Sequence, residues 1–247
     1  MRTVTLHPDQ IYTGPLILVN ARHPLRDPVQ PYLVPPDSRY PQITMERQAA
    51  RLLSAALQAA DPDGAIVPVS GWRSQAQQQA IWDDTLKTEG EVFTRQYVAL
   101  PGCSEHQTGL AMDLALAAPE IDFIRPHFPQ DGVCGLFRQL AARYGFVQRY
   151  RRHKEPLTGI AEEPWHFRYV GVPHARLMEE NDLCLEEYRD FVRGNRPVCR
   201  LENGQTAQVT YLLCPQEPWD IPLPDGRCQI SGDNVAGFFL TVWRDIP

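Results

Sequence analysis

The sequence predicts an α+β fold in two parts: a mixed helix and strand region over residues 1–194, and a small β-rich appendage over 195–247. Three observations carry that prediction. Residues 46–60 repeat apolar side chains at helical spacing (Ala49, Leu52, Leu53, Ala56, Leu57), while residues 109–116 alternate with a period of two. From Asn195 the helical pattern stops. Strand signals follow over 208–213 and 238–243, with turn signals at Asn203-Gly204 and Asp225-Gly226. A hydrophobic share of 43% is enough for a sizeable core.

Taken in order, the first 45 residues carry Pro24, Pro28, Pro31, Pro35, Pro36 and Pro41, which forbid long regular elements, so this segment is expected to wrap the domain. Within it, Leu16-Ile17-Leu18-Val19 ended by Asn20 reads as a buried strand. The helix over 46–60 stops at Asp61-Pro62-Asp63-Gly64. Residues 66–71 form a short strand, and Pro68 points to a sheet edge or a strand end. Ser74 is an N-cap for a helix that reaches about Thr88 and closes at Gly90. Residues 91–99 add a turn or two before Pro101-Gly102. In the strand over 109–116, Leu110, Met112, Leu114 and Leu116 face the core, and Ala111, Asp113 and Ala115 share the other face. A helix over 133–144 turns Leu136, Phe137, Leu140 and Ala141 inward. Strands over 146–150 and 165–170 enclose a polar loop over 151–162, and a broken helical pair over 174–193 ends at Gly194.

The net charge is −6 with both signs interspersed, and no basic cluster points to nucleic acid or to an anionic membrane. No run approaches the roughly 18 apolar residues of a membrane span, and the N-terminus lacks the apolar core of a signal peptide, so the expected location is the cytoplasm. Six cysteines (Cys103, Cys134, Cys184, Cys199, Cys214, Cys228) include no Cys-x-x-Cys pair, which argues against a cysteine zinc knuckle. Free thiols are expected.

His106 and Asp113 lie seven residues apart with a glycine and small residues between them, and His166 comes later, beside Trp165. Together they would supply the three protein ligands of a catalytic zinc site. Glu163 stands three residues before His166, but Pro164 between them argues against a helical His-Glu-x-x-His arrangement. A turn running into a strand would still bring the carboxylate to the metal. Zinc lowers the pKa of a water to about 7 and polarises a carbonyl. A carboxylate then carries the proton from water to the leaving amine, so Glu163 is the candidate base. Arg73, after a strand and before a helix, is the candidate cation for a developing oxyanion. Singly, each residue has a plainer reading: a core or surface histidine, a solvated arginine, an acidic turn at Glu162-Glu163. Asp113 is the hardest to read so, because a buried carboxylate needs a cation or several donors. Spacing alone leaves a zinc site and two unrelated polar turns both open.

Further residues carry a resemblance. They are Leu18-Val19-Asn20 with His23-Pro24-Leu25; Val69-Ser70-Gly71-Trp72-Arg73-Ser74 with Gln78; Tyr97-Val98-Ala99 followed by residues 101–113; and Glu163-Pro164-Trp165-His166-Phe167-Arg168-Tyr169-Val170-Gly171. These ordered blocks resemble the VanY-type zinc D,D-peptidases. The resemblance implies a small antiparallel sheet with flanking helices around a mononuclear zinc site, similar to hedgehog signalling domains, with one Zn2+ per chain. It implies His106, Asp113 and His166 as ligands, Glu163 as base and Arg73 as the oxyanion-stabilising arginine. Gln78 and Ser104 match positions that hold the substrate's C-terminal carboxylate, and Ser74 is taken with them. Asp131 or Asp122 would meet the ammonium of a free dipeptide. Cys103 stands where many relatives have His, and Trp72 where many have Tyr.

Residues 122–131 and the missing signal segment are most similar to the cytoplasmic VanXY subgroup, which combines D,D-dipeptidase and D,D-carboxypeptidase activities in glycopeptide resistance. The implied partner is a small peptide ending in D-Ala-D-Ala, with no nucleic acid and no membrane span. An L,D-carboxypeptidase that trims tetrapeptide stems would carry similar motifs. A non-catalytic zinc module that binds peptides would not need both Glu163 and Arg73.

Overall fold

The computed structural model describes residues 2–26 and 31–245, so Pro28 lies outside the described residues. Strand β1 (Arg2–Leu6) opens the chain. Two-residue strands β2 (Leu33–Val34) and β3 (Met45–Glu46) pair antiparallel. They lead into helix α1 (Arg47–Ala60), which starts where the Glu46 carboxylate accepts the backbone N–H groups of Gln48 and Ala49. Strand β4 (Ile66–Ser70) is followed by helices α2 (Gln75–Glu89) and α3 (Glu91–Tyr97). As expected, Ser74 caps α2, and Gln77 returns the bond to the Ser74 backbone.

Strand β5 (Ala111–Leu116), helix α4 (Gly132–Ala141), strand β6 (Phe146–Tyr150), the short helix α5 (Glu155–Thr158) and strand β7 (Glu163–Tyr169) come next. The expected polar loop over 151–162 thus contains a helical turn. Helices α6 (Val172–Glu180) and α7 (Leu185–Asn195) form the broken pair. Strands β8 (Val198–Arg200), β9 (Gln205–Leu213), β10 (Trp219–Leu223), β11 (Arg227–Gly232) and β12 (Gly237–Asp245) complete the chain. Among the described residues, no helix is long and apolar enough to cross a membrane.

The chain divides into two units, residues 19–175 and residues 1–18 with 176–247. This differs from a division at 194. Strand β1 pairs antiparallel with β10, Val4 opposite Ile221, and so groups with the C-terminal strands rather than with a wrapping segment. That pairing joins residues more than two hundred positions apart, and no local pattern announces it. In the same unit β11, β12, β9 and β8 form an antiparallel sheet in that order. Asn203-Gly204 turns between the paired strands β8 and β9. Asp225-Gly226 instead links β10 to β11, which belong to different sheets, so it is not a hairpin turn. Leu16, Ile17, Leu18 and Val19 are buried as expected but join no ladder. The Leu18 N–H donates to the Asp233 carbonyl at 3.0 Å.

The larger unit is built on an antiparallel sheet of order β4-β5-β7-β6. Pro68 sits on edge strand β4, where a missing N–H costs the ladder least. Two register shifts interrupt the sheet. Between β4 and β5, Pro68 faces Leu114 and Ser70 faces Asp113, so Val69 is an extra residue. Between β6 and β7, Gln148 faces Phe167 and Tyr150 faces Glu163. Leu110, Met112 and Leu114 point into one core with Leu53 and Ala56 of α1 and Phe137 of α4. Phe128, Phe137 and Phe167 meet edge to face at 4.9–6.0 Å.

One inward residue expected on α4 does not point inward. Leu136 is 42% exposed, whereas Cys134 and Phe137 are fully buried. The buried stripe runs through 134, 137 and 141, a spacing of three and four that leaves 136 on the outer face. Phe137→Ala is therefore expected to destabilise this unit by about 3–5 kcal/mol, and Leu136→Ala by no more than about 0.5 kcal/mol. Urea unfolding of the two variants, compared by midpoint at equal slope, checks this. Equal losses would mean that both side chains are core.

Candidate metal centre

Asp113 lies on β5 directly opposite His166 on β7 and Ser70 on β4. Directly opposed residues of antiparallel strands share a face, so the ladder itself sets the carboxylate beside the His166 imidazole. His106 arrives differently. It sits in a 3-10 turn (Glu105–Thr108) that ends at Gly109, whose φ of 72° is left-handed and favours glycine. That reversal folds His106 back over Asp113.

The His106 Nδ1–H donates to the Gly71 carbonyl at 2.7 Å, which leaves the lone pair on Nε2. A Cβ at position 71 would collide with the Thr44 carbonyl oxygen, so the chain passes there only as glycine. His106 Nε2 is 3.1 Å from Asp113 Oδ2, and His166 Nδ1 is 3.1 Å from Asp113 Oδ1. One ligand atom from each of His106, Asp113 and His166 can be chosen so that all lie within 4.8 Å of one another. Glu163 Oε2 stands 3.2 Å from His166 Nδ1. Asp113 Oδ1 is buried without a hydrogen bond. Two imidazoles and a carboxylate so arranged suit a divalent transition metal.

The electrostatics favour positive charge at this point. Burial pushes the Asp113 carboxyl up, but His106 and His166 outweigh it and hold the group well below the usual carboxylate range. Burial pulls the His166 imidazole down, yet Asp113, with Glu105 and Glu163, lifts it well above its ordinary value. His106, desolvated and close to the Arg73 guanidinium, is lowered to about 4 and stays neutral, as a metal ligand must.

Arg73 reaches the same point. Its Nη2 is 3.0 Å from Asp113 Oδ2, its Nε donates to Ser70 Oγ at 2.8 Å, and its Nη1 donates to Gln78 Oε1 at 3.2 Å. Gln78 in turn donates to the Ala99 carbonyl at 2.8 Å, so it anchors the guanidinium. A cleft opens over these groups, lined among others by Gln78, Ser104, Phe123 and Trp165.

Not every expected contact converges there. Ser74 Oγ is engaged by the Gln77 N–H as a helix cap, and Ser74 lies outside the cleft lining. Asp131 is an exposed residue at the start of α4 and also lies outside the lining. Asp122 accepts the N–H groups of Ile124 and Arg125, a local turn that carries Phe123 to the cleft. Cys103 is half-buried and not in the metal-binding group. Sequence reasoning missed the buried charges beneath the centre, Glu105, Arg149 and Arg168. Their signal was two arginines within apolar strands, Phe146-Val147-Gln148-Arg149-Tyr150 and Phe167-Arg168-Tyr169.

The family model of VanY, D-alanyl-D-alanine carboxypeptidase, matches residues 42–172. Over 179 residues the chain is 40% identical to the bifunctional D-Ala-D-Ala dipeptidase and D-Ala-D-Ala carboxypeptidase VanXYC of Enterococcus gallinarum, covering 72% of this chain and 94% of that protein. It is 28% identical to a D-alanyl-D-alanine carboxypeptidase of Enterococcus faecium over 97% of this chain and 78% of that one. The crystal structure of the vancomycin resistance D,D-dipeptidase VanXYg, in complex with a D-Ala-D-Ala phosphinate analog, is 48% identical and matches with a TM-score of 0.95, covering 98% of this chain and 99% of that chain. Two histidines and an aspartate that could hold a metal ion, with a carboxylate and an arginine turned to the same point of one cleft, are thus found in a chain that belongs to the VanY family of D-alanyl-D-alanine carboxypeptidases.

Proposed function

We propose that this protein hydrolyses the peptide bond of a D-Ala-D-Ala terminus with the help of one zinc ion. Its substrates are the free dipeptide, the muramyl pentapeptide precursor, or both, and the reaction serves the precursor remodelling linked to glycopeptide resistance. The observation that carries this reading is the convergence of Glu163 and Arg73 on the ligand atoms of His106, Asp113 and His166. A binding module needs the ligands but not the other two. Similarity to a bifunctional dipeptidase and carboxypeptidase over nearly its whole length supports the substrate class. Six free thiols support a reducing, cytoplasmic site of action.

Held by His106 Nε2, Asp113 and His166 Nδ1, zinc would supply Lewis acidity for a carbonyl and for water. Glu163 takes the proton of the attacking water and passes it to the departing D-Ala amine. Arg73, anchored by Ser70 and Gln78, presents its guanidinium to the negative charge that develops on the carbonyl oxygen. Ser104, buried in the cleft wall, and Gln78 are the proposed neighbours of the substrate carboxylate.

In the metal-free protein the Glu163 carboxyl is shifted upward. Burial is the main cause that raises its carboxyl from 4.5 to about 7, against the opposing pull of His166. The folded chain therefore holds a proton that the unfolded chain releases at lower pH. The stability this group contributes is complete below about 4.5 and is lost as pH rises to about 7. In metal-free protein, Glu163→Gln should thus gain on the parent across that window, levelling off at about 3 kcal/mol. Chemical unfolding at pH 4, 6 and 8 measures it, and a gap that does not change with pH would refute the assignment.

Activity gives the direct test. Purified zinc-loaded protein is expected to release D-Ala from D-Ala-D-Ala, from pentapeptide, or from both. Glu163→Ala should lower kcat by about 10²–10⁴ while still binding zinc. Release of D-Ala at the parental rate by that variant would sink the mechanism. Release from tetrapeptide but not pentapeptide would identify an L,D-carboxypeptidase instead.

A further inference from the structure

Glu105 lies at the floor of the centre, one residue before His106, and the reaction above gives it nothing to do. Its side chain is fully buried, as is that of Arg168, and Arg149 is 1% exposed. Charges so deep are costly to desolvate unless closely paired. Both arginines address the same oxygen. Arg149 Nε donates to Glu105 Oε1 at 2.8 Å, and Arg168 Nη1 is 3.2 Å from it. The other oxygen, Oε2, faces His166 Nε2 at 3.7 Å. Both of these atoms are buried without a hydrogen bond.

The opposite nitrogen of His166, Nδ1, is the one turned to Asp113 and Glu163. For Nδ1 to offer a lone pair to a metal, the ring proton must sit on Nε2. A carboxylate that accepts this proton fixes the tautomer and raises the ligand's basicity. The ring is also held from a second side. The Arg149 guanidinium lies over the Tyr150 ring at 4.9 Å, and Tyr150 meets His166 edge-on at 4.9 Å.

We propose that Glu105 is a positioning residue for the metal: its Oε2, at 3.7 Å, closes on the Nε2–H of His166 when zinc binds and so fixes the Nδ1 lone pair toward the ion. Arg149 hydrogen-bonds the other oxygen and Arg168 stands beside it as an ion pair, so that Oε2 is turned to the histidine. The idea rests on the zinc reading of the site.

The test uses the full chain and zinc itself. Glu105→Gln keeps size and shape. It should fold, by circular dichroism, and bind zinc about 10–100-fold more weakly than the parent in chelator competition, with kcat falling more than KM rises. Nitrogen-15 shifts of labelled histidines in the zinc-loaded parent should show His166 protonated at Nε2. A zinc affinity within about twofold of the parent's overturns the role of Glu105, and so does an Nδ1-protonated His166 in the loaded parent. The second measurement needs no variant, so it can overturn the proposal even if Glu105→Gln does not fold. If the folded parent takes up no zinc, the reading of the whole site falls. If it takes up one zinc per chain and Glu105→Gln matches it, only the role of Glu105 falls.

Discussion

The buried carboxylate of Asp113 is the constraint around which the larger unit is arranged. It sits in the middle of a strand whose neighbours along the chain are apolar, at 4% exposure. An ionised carboxylate there would cost several kcal/mol without compensation. Compensation arrives from three directions. His166 comes across the ladder, His106 comes through the turn that precedes the strand, and Arg73 comes from the loop after the edge strand. Each approach fixes a segment of backbone. The sheet therefore does two things with one residue: it closes the core on the Met112 and Leu114 side, and it concentrates negative charge on the other.

That concentration explains why the histidines differ. His166 faces three carboxylates and favours a positive charge, whereas His106 faces a guanidinium as well and stays neutral. A divalent ion answers both demands, because it needs one lone pair from each ring and places its charge beside Asp113. The arginines beneath, shared with Glu105, keep the floor of the site from carrying an uncompensated anion. Removing any one member would leave the others buried and unmatched.

Much of this was legible in the sequence, for reasons that can be named. The alternation through Leu110, Met112, Leu114 and Leu116 placed Asp113 on the small-residue face, and Ser74 and Pro68 marked a cap and an edge by local chemistry. The motif blocks pointed to His106, Asp113, His166, Glu163 and Arg73, and the fold brings all five together. What stayed hidden depends on distant partners. The β1–β10 pairing joins opposite ends of the chain, and Leu136 faces outward because the neighbouring elements that α4 packs on select the stripe through Cys134, Phe137 and Ala141. Ser74 adjoins Arg73 in sequence and Asp131 is far from the ligands, yet both lie at helix starts outside the cleft lining. Glu105 was hidden for the opposite reason. A charged residue in a short turn reads as surface, and only the two arginines on separate strands show that it is not.

The irregularities of the sheet explain how Glu163 can serve the same centre as His166. In a regular strand, residues three apart point to opposite faces. Glu163 and His166 are three apart on β7, yet their side chains meet at 3.2 Å. The register shift between Gln148 and Tyr150 lies opposite this stretch, and Pro164, with no N–H to donate, falls within it. Arg138 donates to the Pro164 carbonyl at 3.3 Å and holds the bend. On β4 the extra residue Val69 likewise brings Ser70 level with Asp113, where it anchors Arg73. Bulges of this kind re-aim side chains beside active sites. The base and the arginine are thus both delivered by breaks in the ladder that flank Asp113, while the Asp113–His166 pair depends on the ladder being intact between them.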